Sequence, residues 1–393
     1  MKDIVIVSAV RTPVGRYGGA LRSLNSGDLA SIVIKEAIKR AGIAANQVDE
    51  VILGEVRQTT ESSNVARVAA LRAGVPETAS AFTVNRLCAS GMQAIASAAQ
   101  QITLGHANIV IAGGTESMSN APIYLRNSRF GGDNTKLVDS NTEVGQQPTE
   151  QYGNLLSMGI TAENVAERYF ITREEQDAFA VESQRRAAIA IERNRLAAEI
   201  VPVEVRVKKN TTLVTVDEPP RPETTIETLA KLKPAFKENG TITAGNACGR
   251  NDGAAAMILT SLQHAKSLVI TPMARIVDWA VTGVSPEVMG IGPVSAVKKL
   301  LERTNLTLED IDLIELNEAF ASQAVAVIRE LNLDIEKVNV NGGAIALGHP
   351  LGATGAKIMT TLVYELIRRQ QNRGIAALCV GGGQGMAIMV ERI

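Results

Sequence analysis

Two stretches of this chain repeat one pattern of apolar and polar positions. In the first, a strand-like run, Val48-Asp49-Glu50-Val51-Ile52-Leu53-Gly54-Glu55, precedes a turn from Asn85 to Gly91, a helical stretch and a second apolar run from Ile109 to Gly114. In the second, Ile311-Asp312-Leu313-Ile314-Glu315-Leu316-Asn317-Glu318 precedes a glycine-rich turn from Gly342 to Gly352, a helical stretch and the run from Ala377 to Gly383. Each reads as strand, turn, helix, buried strand. The pattern predicts an α/β protein with mixed sheets and an internal duplication. The helical stretch Ser90-Gly91-Met92-Gln93-Ala94-Ile95-Ala96-Ser97-Ala98-Ala99 is small and apolar on nearly every face, which predicts burial between layers.

Between the halves the pattern changes. A polar, turn-rich stretch from Asn127 to Gln151 is followed by two amphipathic helices, the second opening with the capping box Thr172-Arg173-Glu174-Glu175. This segment reads as an inserted loop domain. The expected division is 1–118 plus about 250–270 for the N-terminal half, 119–249 for the loop domain and 271–393 for the C-terminal half.

Composition narrows the classes. A chain of 393 residues with 45% hydrophobic content can build two or three domains with substantial cores. Its 40 basic and 41 acidic residues leave a net charge of −1, so neither nucleic acid nor a membrane surface is expected as a partner. Three cysteines, none in a CxxC spacing, and the absence of zinc-type clusters suit the reducing cytoplasm and predict no metal. The apolar run at the N-terminus is too short for a signal peptide, and no run reaches transmembrane length.

Three of the six cysteines and histidines lie in or beside the most glycine-dense turns: Cys88, His349 and Cys379. Cys88 precedes a predicted helix, where free backbone N–H groups and the macrodipole favour a thiolate, so it is a candidate nucleophile with a lowered pKa. The same donors suit the oxyanion of an attacked thioester. The alternative reading of Cys88 is a buried cysteine acting as a small hydrophobe. His349 is held out of regular helix by Pro350 and could accept the thiol proton, or serve a structural hydrogen bond. The turn after it lacks the GK[ST] ending of a phosphate-binding loop. Cys379 enters the triple glycine Gly381-Gly382-Gly383, and a second thiol facing the same cavity suits proton transfer at carbon. The Asn317 amide, in Asn317-Glu318-Ala319-Phe320, could position a water or a carbonyl.

With these motifs, the chain resembles the thiolase family along essentially its whole length, from Arg11-Thr12-Pro13-Val14-Gly15 to Gly381-Gly382-Gly383-Gln384-Gly385. The resemblance implies the thiolase fold: a duplicated α-β-α-β-α core of two five-stranded halves with a loop domain inserted in the first. It further implies a homotetramer built as a dimer of dimers, and coenzyme A thioesters as substrates with no permanently bound cofactor. Carried over, Cys88 takes the acyl group, His349 activates it and Cys379 exchanges the α-proton of the second substrate. Backbone N–H groups of Cys88 and Gly381 bind one oxyanion; His349 and a water on Asn317 bind the other. Arg221 becomes a neighbour of the nucleotide, while Met158, Phe236, Met289 and Phe320 line the pantetheine tunnel and acyl pocket. Two departures stand out: Cys248 replaces a serine that meets the pantetheine arm, and the stretch from Gln147 to Met158 lacks a histidine common before the methionine.

The activity this implies is reversible Claisen condensation of two acetyl-CoA to acetoacetyl-CoA and CoA through an acetyl-Cys88 intermediate. Thiolysis of longer 3-ketoacyl-CoA chains is the nearest alternative. A non-catalytic acyl-CoA or lipid carrier is an alternative of another class, disfavoured by the intact set of reactive residues.

Overall fold

In the computed structural model, residues 3–131, 135–207 and 210–393 are described. The first half runs β1 (Ile4–Arg11), β2 (Gly15–Arg16), α1 (Ser26–Ala41), β3 (Glu50–Gly54), α2 (Val65–Arg72), β4 (Ser80–Val84), α3 (Ser90–Leu104) and β5 (Ile109–Ser117). The middle segment carries the hairpin β6 (Ile123–Arg126) and β7 (Lys136–Asp139), helices α4 (Thr149–Tyr152), α5 (Met158–Arg168) and α6 (Arg173–Glu192), the hairpin β8 (Val203–Val207) and β9 (Asn210–Val214), and α7 (Ile226–Ala230). There follow β10 (Asn251–Ser261), α8 (Leu262–Ser267), β11 (Ala274–Gly283), α9 (Gly292–Thr304), β12 (Leu313–Leu316), α10 (Ala321–Leu331), α11 (Ala344–Leu347), α12 (Leu351–Arg369), β13 (Arg373–Val380) and β14 (Gln384–Arg392).

The duplication is visible in the strand order β12-β13-β14-β11-β1-β10-β5-β3-β4. Read outward from its centre, β1-β10-β5-β3 is matched by β11-β14-β13-β12. In each half the strand after the central helix is parallel to its outer neighbour, β5 to β3 and β13 to β12, and antiparallel to its inner one, β5 to β10 and β13 to β14. The sheets are mixed, as the alternation of apolar runs implied. In the second half a single parallel bridge, Ile314 to Val338, stands where β4 lies in the first. The halves are joined along β1 and β11 by a short antiparallel ladder from Ile4–Ile276 to Ile6–Ala274.

Alternation along the strands sorts side chains into layers. Ile52, Val110 and Met257 face inward, with Leu378, Ile388 and Val390 of the other half, onto α3 and α12. Val51, Leu53, Ile109 and Ile111 face outward onto α1 and α2. Ile375, Ala377, Ala387 and Met389 face outward onto α9 and α10. The result is five layers, α-β-α-β-α. The two central helices touch backbone to backbone: a Cβ on Gly91 would lie 2.8 Å from the Gly352 carbonyl, and one on Gly355 would lie 2.4 Å from the Met92 nitrogen. Glycine at these places sets the closeness of α3 and α12, and with it the closeness of the turns that precede them.

Candidate active site

Cys88 lies two residues before α3, and His349 lies two residues before α12. Because α3 and α12 are paired in the central layer, equivalent turns of the two halves arrive at one cavity of about 400 Å³, lined by Cys88, His349, Cys379, Cys248 and Gly381. Met158, Phe236, Met289 and Phe320 line it as well. The rings of Phe236 and Phe320 meet edge to face, 6.3 Å between centroids and 83° between planes. Nine sequence-selected positions are thus brought together.

Asn317 closes β12 and is buried, its backbone N–H donating to the Ala377 carbonyl at 2.9 Å. Neither its side-chain oxygen nor its nitrogen has a protein partner. A buried amide with both groups unmatched is costly unless something else meets it. The segment bearing Cys248 is clipped to the same turn: the Cys248 N–H donates to the Ala319 carbonyl at 3.0 Å, and Ala247 bridges Phe320. Glu318 anchors the turn from below, its carboxylate accepting from the Ser183 hydroxyl at 2.7 Å, the Asn339 amide at 2.8 Å and the Ile345 N–H at 3.1 Å.

Arg221 lies elsewhere. It lines a separate depression of about 560 Å³ with Arg16 and Tyr17, joined to the first cavity through the shared residues Ala247, Gly249 and Arg250.

The electrostatics correct one expectation. Cys88 was to have a lowered pKa from its place before a helix; instead burial pushes the thiol up to about 11. Backbone N–H groups of Gly381 and of Cys88 itself, and the charge of Arg57, pull in the opposite direction without overcoming it. Desolvation of a charged sulfur outweighs the partial charges of a helix terminus. Burial likewise raises Cys248, to about 12, and Cys379, and it lowers His349 to about 3 with help from the charge of Lys357. The three thiols and the imidazole are therefore uncharged at rest.

The His349 turn is held from several directions. Its backbone N–H donates to the Asn251 side-chain oxygen at 2.9 Å, and the Asn251 amide donates to the Gly15 carbonyl at 2.9 Å. Nδ1 of the ring lies 2.6 Å from the Thr354 hydroxyl oxygen. The Glu116 carboxylate accepts the N–H of Gly352 at 2.8 Å, of Arg57 at 2.9 Å and of Val56 at 3.1 Å. Arg57 itself lines the cavity, its Nε buried without a hydrogen-bond partner. Sequence reasoning assigned no role to Glu116, Arg57, Asn251 or Thr354. A polar side chain at the carboxyl end of an apolar strand is the one signal that pointed to the first two.

Among the described residues there is no cluster of three or more His, Cys, Asp or Glu that could hold a metal ion, and no helix is long and apolar enough to cross a membrane.

Fold and site together define an α/β acyltransferase, and comparison with known proteins supports that class. Residues 4–263 match the thiolase N-terminal domain and residues 270–392 the thiolase C-terminal domain. The acetyl-CoA acetyltransferase of Syntrophomonas wolfei is 51% identical over 401 residues, covering 100% of both chains, and that of Escherichia coli K12 is 50% identical over 398 residues with the same coverage. The crystal structure of Bacillus anthracis acetyl-CoA acetyltransferase superposes with a TM-score of 0.97 at 48% identity, covering 100% of this chain and 99% of the other. Human mitochondrial 3-ketoacyl-CoA thiolase in complex with CoA superposes with a TM-score of 0.94 at 44% identity, covering 100% and 98%. The chain belongs to the thiolase family.

Proposed function

We propose that this protein catalyses the reversible condensation of two acetyl-CoA to acetoacetyl-CoA and CoA. The observation that carries the reading is the convergence of Cys88, His349 and Cys379 on one cavity, in a chain whose full-length relatives are named acetyl-CoA acetyltransferase.

Uncharged His349 takes the proton of Cys88 as the sulfur attacks the thioester carbonyl, and the N–H groups of Cys88 and Gly381 stabilise the oxyanion. The C–S bond to CoA breaks, the leaving sulfur takes a proton from Cys379, and acetyl-Cys88 remains. Cys379, now a thiolate, removes the α-proton of the second acetyl-CoA. The enolate oxygen is stabilised by protonated His349 and a water held by the unpartnered Asn317 amide. Carbon attacks acetyl-Cys88, acetoacetyl-CoA forms, and His349 returns its proton to Cys88.

The pantetheine arm runs past Cys248, Phe236 and Met289, and the nucleotide rests in the adjoining depression with its arginines, Arg16, Arg221 and Arg250. A homotetramer is part of this reading, supported by the exposed apolar side chains of the β6–β7 hairpin, Ile123 (65%), Leu125 (53%) and Leu137 (75%). The reducing cytoplasm suits three free thiols, and the reading includes a division into 1–118 with about 250–270, 119–249 and 271–393.

Steady-state thiolysis of acetoacetyl-CoA, compared with a medium-chain 3-ketoacyl-CoA, tests the substrate. Higher kcat/KM for acetoacetyl-CoA is expected. Preference for the longer chain would favour 3-ketoacyl-CoA thiolysis, the activity class named for the human structural neighbours. Absence of turnover with both would leave the carrier reading.

A further inference from the structure

A base acting on Cys88 needs one ring nitrogen without a hydrogen. Neutral imidazole has one protonated and one bare nitrogen, and the two tautomers are close in energy unless a neighbour chooses between them. At His349 the neighbour is Thr354, three residues into α12 and fully buried (0% exposed), with its hydroxyl oxygen 2.6 Å from Nδ1. That hydroxyl also lies 2.8 Å from the Pro350 carbonyl oxygen. The Pro350 carbonyl also accepts the N–H groups of Ala353 and Thr354 at 2.9 Å, but two oxygens 2.8 Å apart repel unless a hydrogen lies between them, and the carbonyl can only accept, so this contact draws the single Thr354 hydrogen toward Pro350. The Thr354 oxygen is then left to accept, and the hydrogen between it and the ring belongs to Nδ1.

We propose that Thr354 is a positioning residue for His349, holding the imidazole in the tautomer protonated on Nδ1 so that Nε2 is bare and able to take the proton of Cys88. The backbone of the turn is fixed by Asn251 and by the Glu116 bond to Gly352, and the ring is buried, so Thr354 meets it in one place. Among the described residues, Nδ1 is the ring nitrogen that has a hydrogen bond. When the Cys88 proton moves from sulfur to Nε2, the ring becomes an imidazolium that still donates from Nδ1 to Thr354. When it returns to the sulfur, the starting tautomer is restored without a rotation or a second proton transfer. Burial keeps the ring uncharged at neutral pH, so tautomer choice and not protonation state is what the site has to control. The inference rests on the roles proposed above for Cys88 and His349, but the tautomer itself is measurable without them.

The experiment is nitrogen NMR on protein labelled with 15N-histidine, with His349→Asn identifying the His349 signals, alongside steady-state kinetics. The expected result is a proton on Nδ1 in the unmodified protein and in Thr354→Ser, which keeps the hydroxyl. Thr354→Val, close in shape but without the oxygen, should populate the Nε2-protonated form. Its kcat should fall by about 100-fold, the lower end of what a positioned base contributes, with KM for acetyl-CoA nearly unchanged and recovery in Thr354→Ser. A proton on Nε2 in the unmodified protein overturns the proposal, and so does wild-type kcat in Thr354→Val. Should the valine variant not fold, the spectra of the unmodified protein and of Thr354→Ser still decide. An unmodified enzyme with no thiolase turnover would overturn the proposed function instead, and the tautomer measurement would be unaffected.

Discussion

The carboxylate of Glu116, at the end of β5 in the first half of the fold, accepts the N–H of Gly352, at the start of α12 in the second, at 2.8 Å. It also accepts the N–H groups of Val56 and Arg57, so one buried side chain ties the loop after β3, about 60 positions before it, to the turn bearing His349, with Gly352 236 positions after it. Glu116→Ala should leave three N–H groups without this partner. The expected cost is about 3 kcal/mol of stability, and misplacement of the His349 turn should lower kcat about tenfold or more. Urea unfolding and steady-state kinetics on the same preparation measure both. A stable variant with full activity would show that the turn is held without this carboxylate.

Cys88→Ser should abolish turnover and acyl-enzyme formation, because a hydroxyl is a far weaker nucleophile in a site built around a thiol. Mass spectrometry after mixing with acetyl-CoA should find one acetyl group on Cys88 in the unmodified protein. An adduct on Cys248 would reassign the nucleophile.

With the Cys88 thiol held up to about 11, its alkylation by iodoacetamide in the free enzyme should keep rising with pH past about 10, where an ordinary thiol has levelled off. Arg57 contributes a charge that favours the thiolate, so Arg57→Leu should move that profile higher still, while Arg57→Lys should largely preserve it. Coincident profiles for all three proteins would remove Arg57 from the account.

His349 also sets a pH dependence of stability. Its folded pKa of about 3 lies below the ordinary 6.5, so between those values the unfolded chain binds the extra proton and the folded protein does not. Its stabilising contribution is complete above pH 6.5 and is lost as pH falls, by about 1.4 kcal/mol per pH unit. His349→Asn should have a shallower loss of stability than the unmodified protein between pH 6 and 4 in urea titrations. Parallel curves would show that the imidazole is reached by water.

Cys379→Ala should still acquire an acetyl group on Cys88 while losing condensation and the exchange of acetyl-CoA α-protons with deuterated solvent, since its assigned task is proton transfer at carbon. Condensation at the normal rate would make Cys379 structural. Cys248→Ser should lower KM for CoA substrates about fivefold, the worth of one typical net hydrogen bond of about 1 kcal/mol. An unchanged KM would mean that the pantetheine arm passes Cys248 without bonding to it.

Local features of the chain determined a large part of this protein by themselves. Strand runs such as Ile109 to Gly114, the apolar helix after Cys88 and the glycine turns around Cys88, His349 and Cys379 are short-range patterns, and their repetition exposed the duplication. What depended on groups distant in sequence was decided only by packing. The pairing of α3 with α12 puts Glu116 against Gly352, and the segment entering β10 puts Asn251 against the backbone of His349. The pKa of Cys88 is the clearest case. The turn before a helix argued for a thiolate, but the half-buried Cys88 thiol is pushed up by desolvation, which depends on everything packed around it and not on the residues beside it in the chain. Arg221 fell into a neighbouring depression for the same reason: a sequence orders residues along a line, and only the folded surface decides which of them share a cavity.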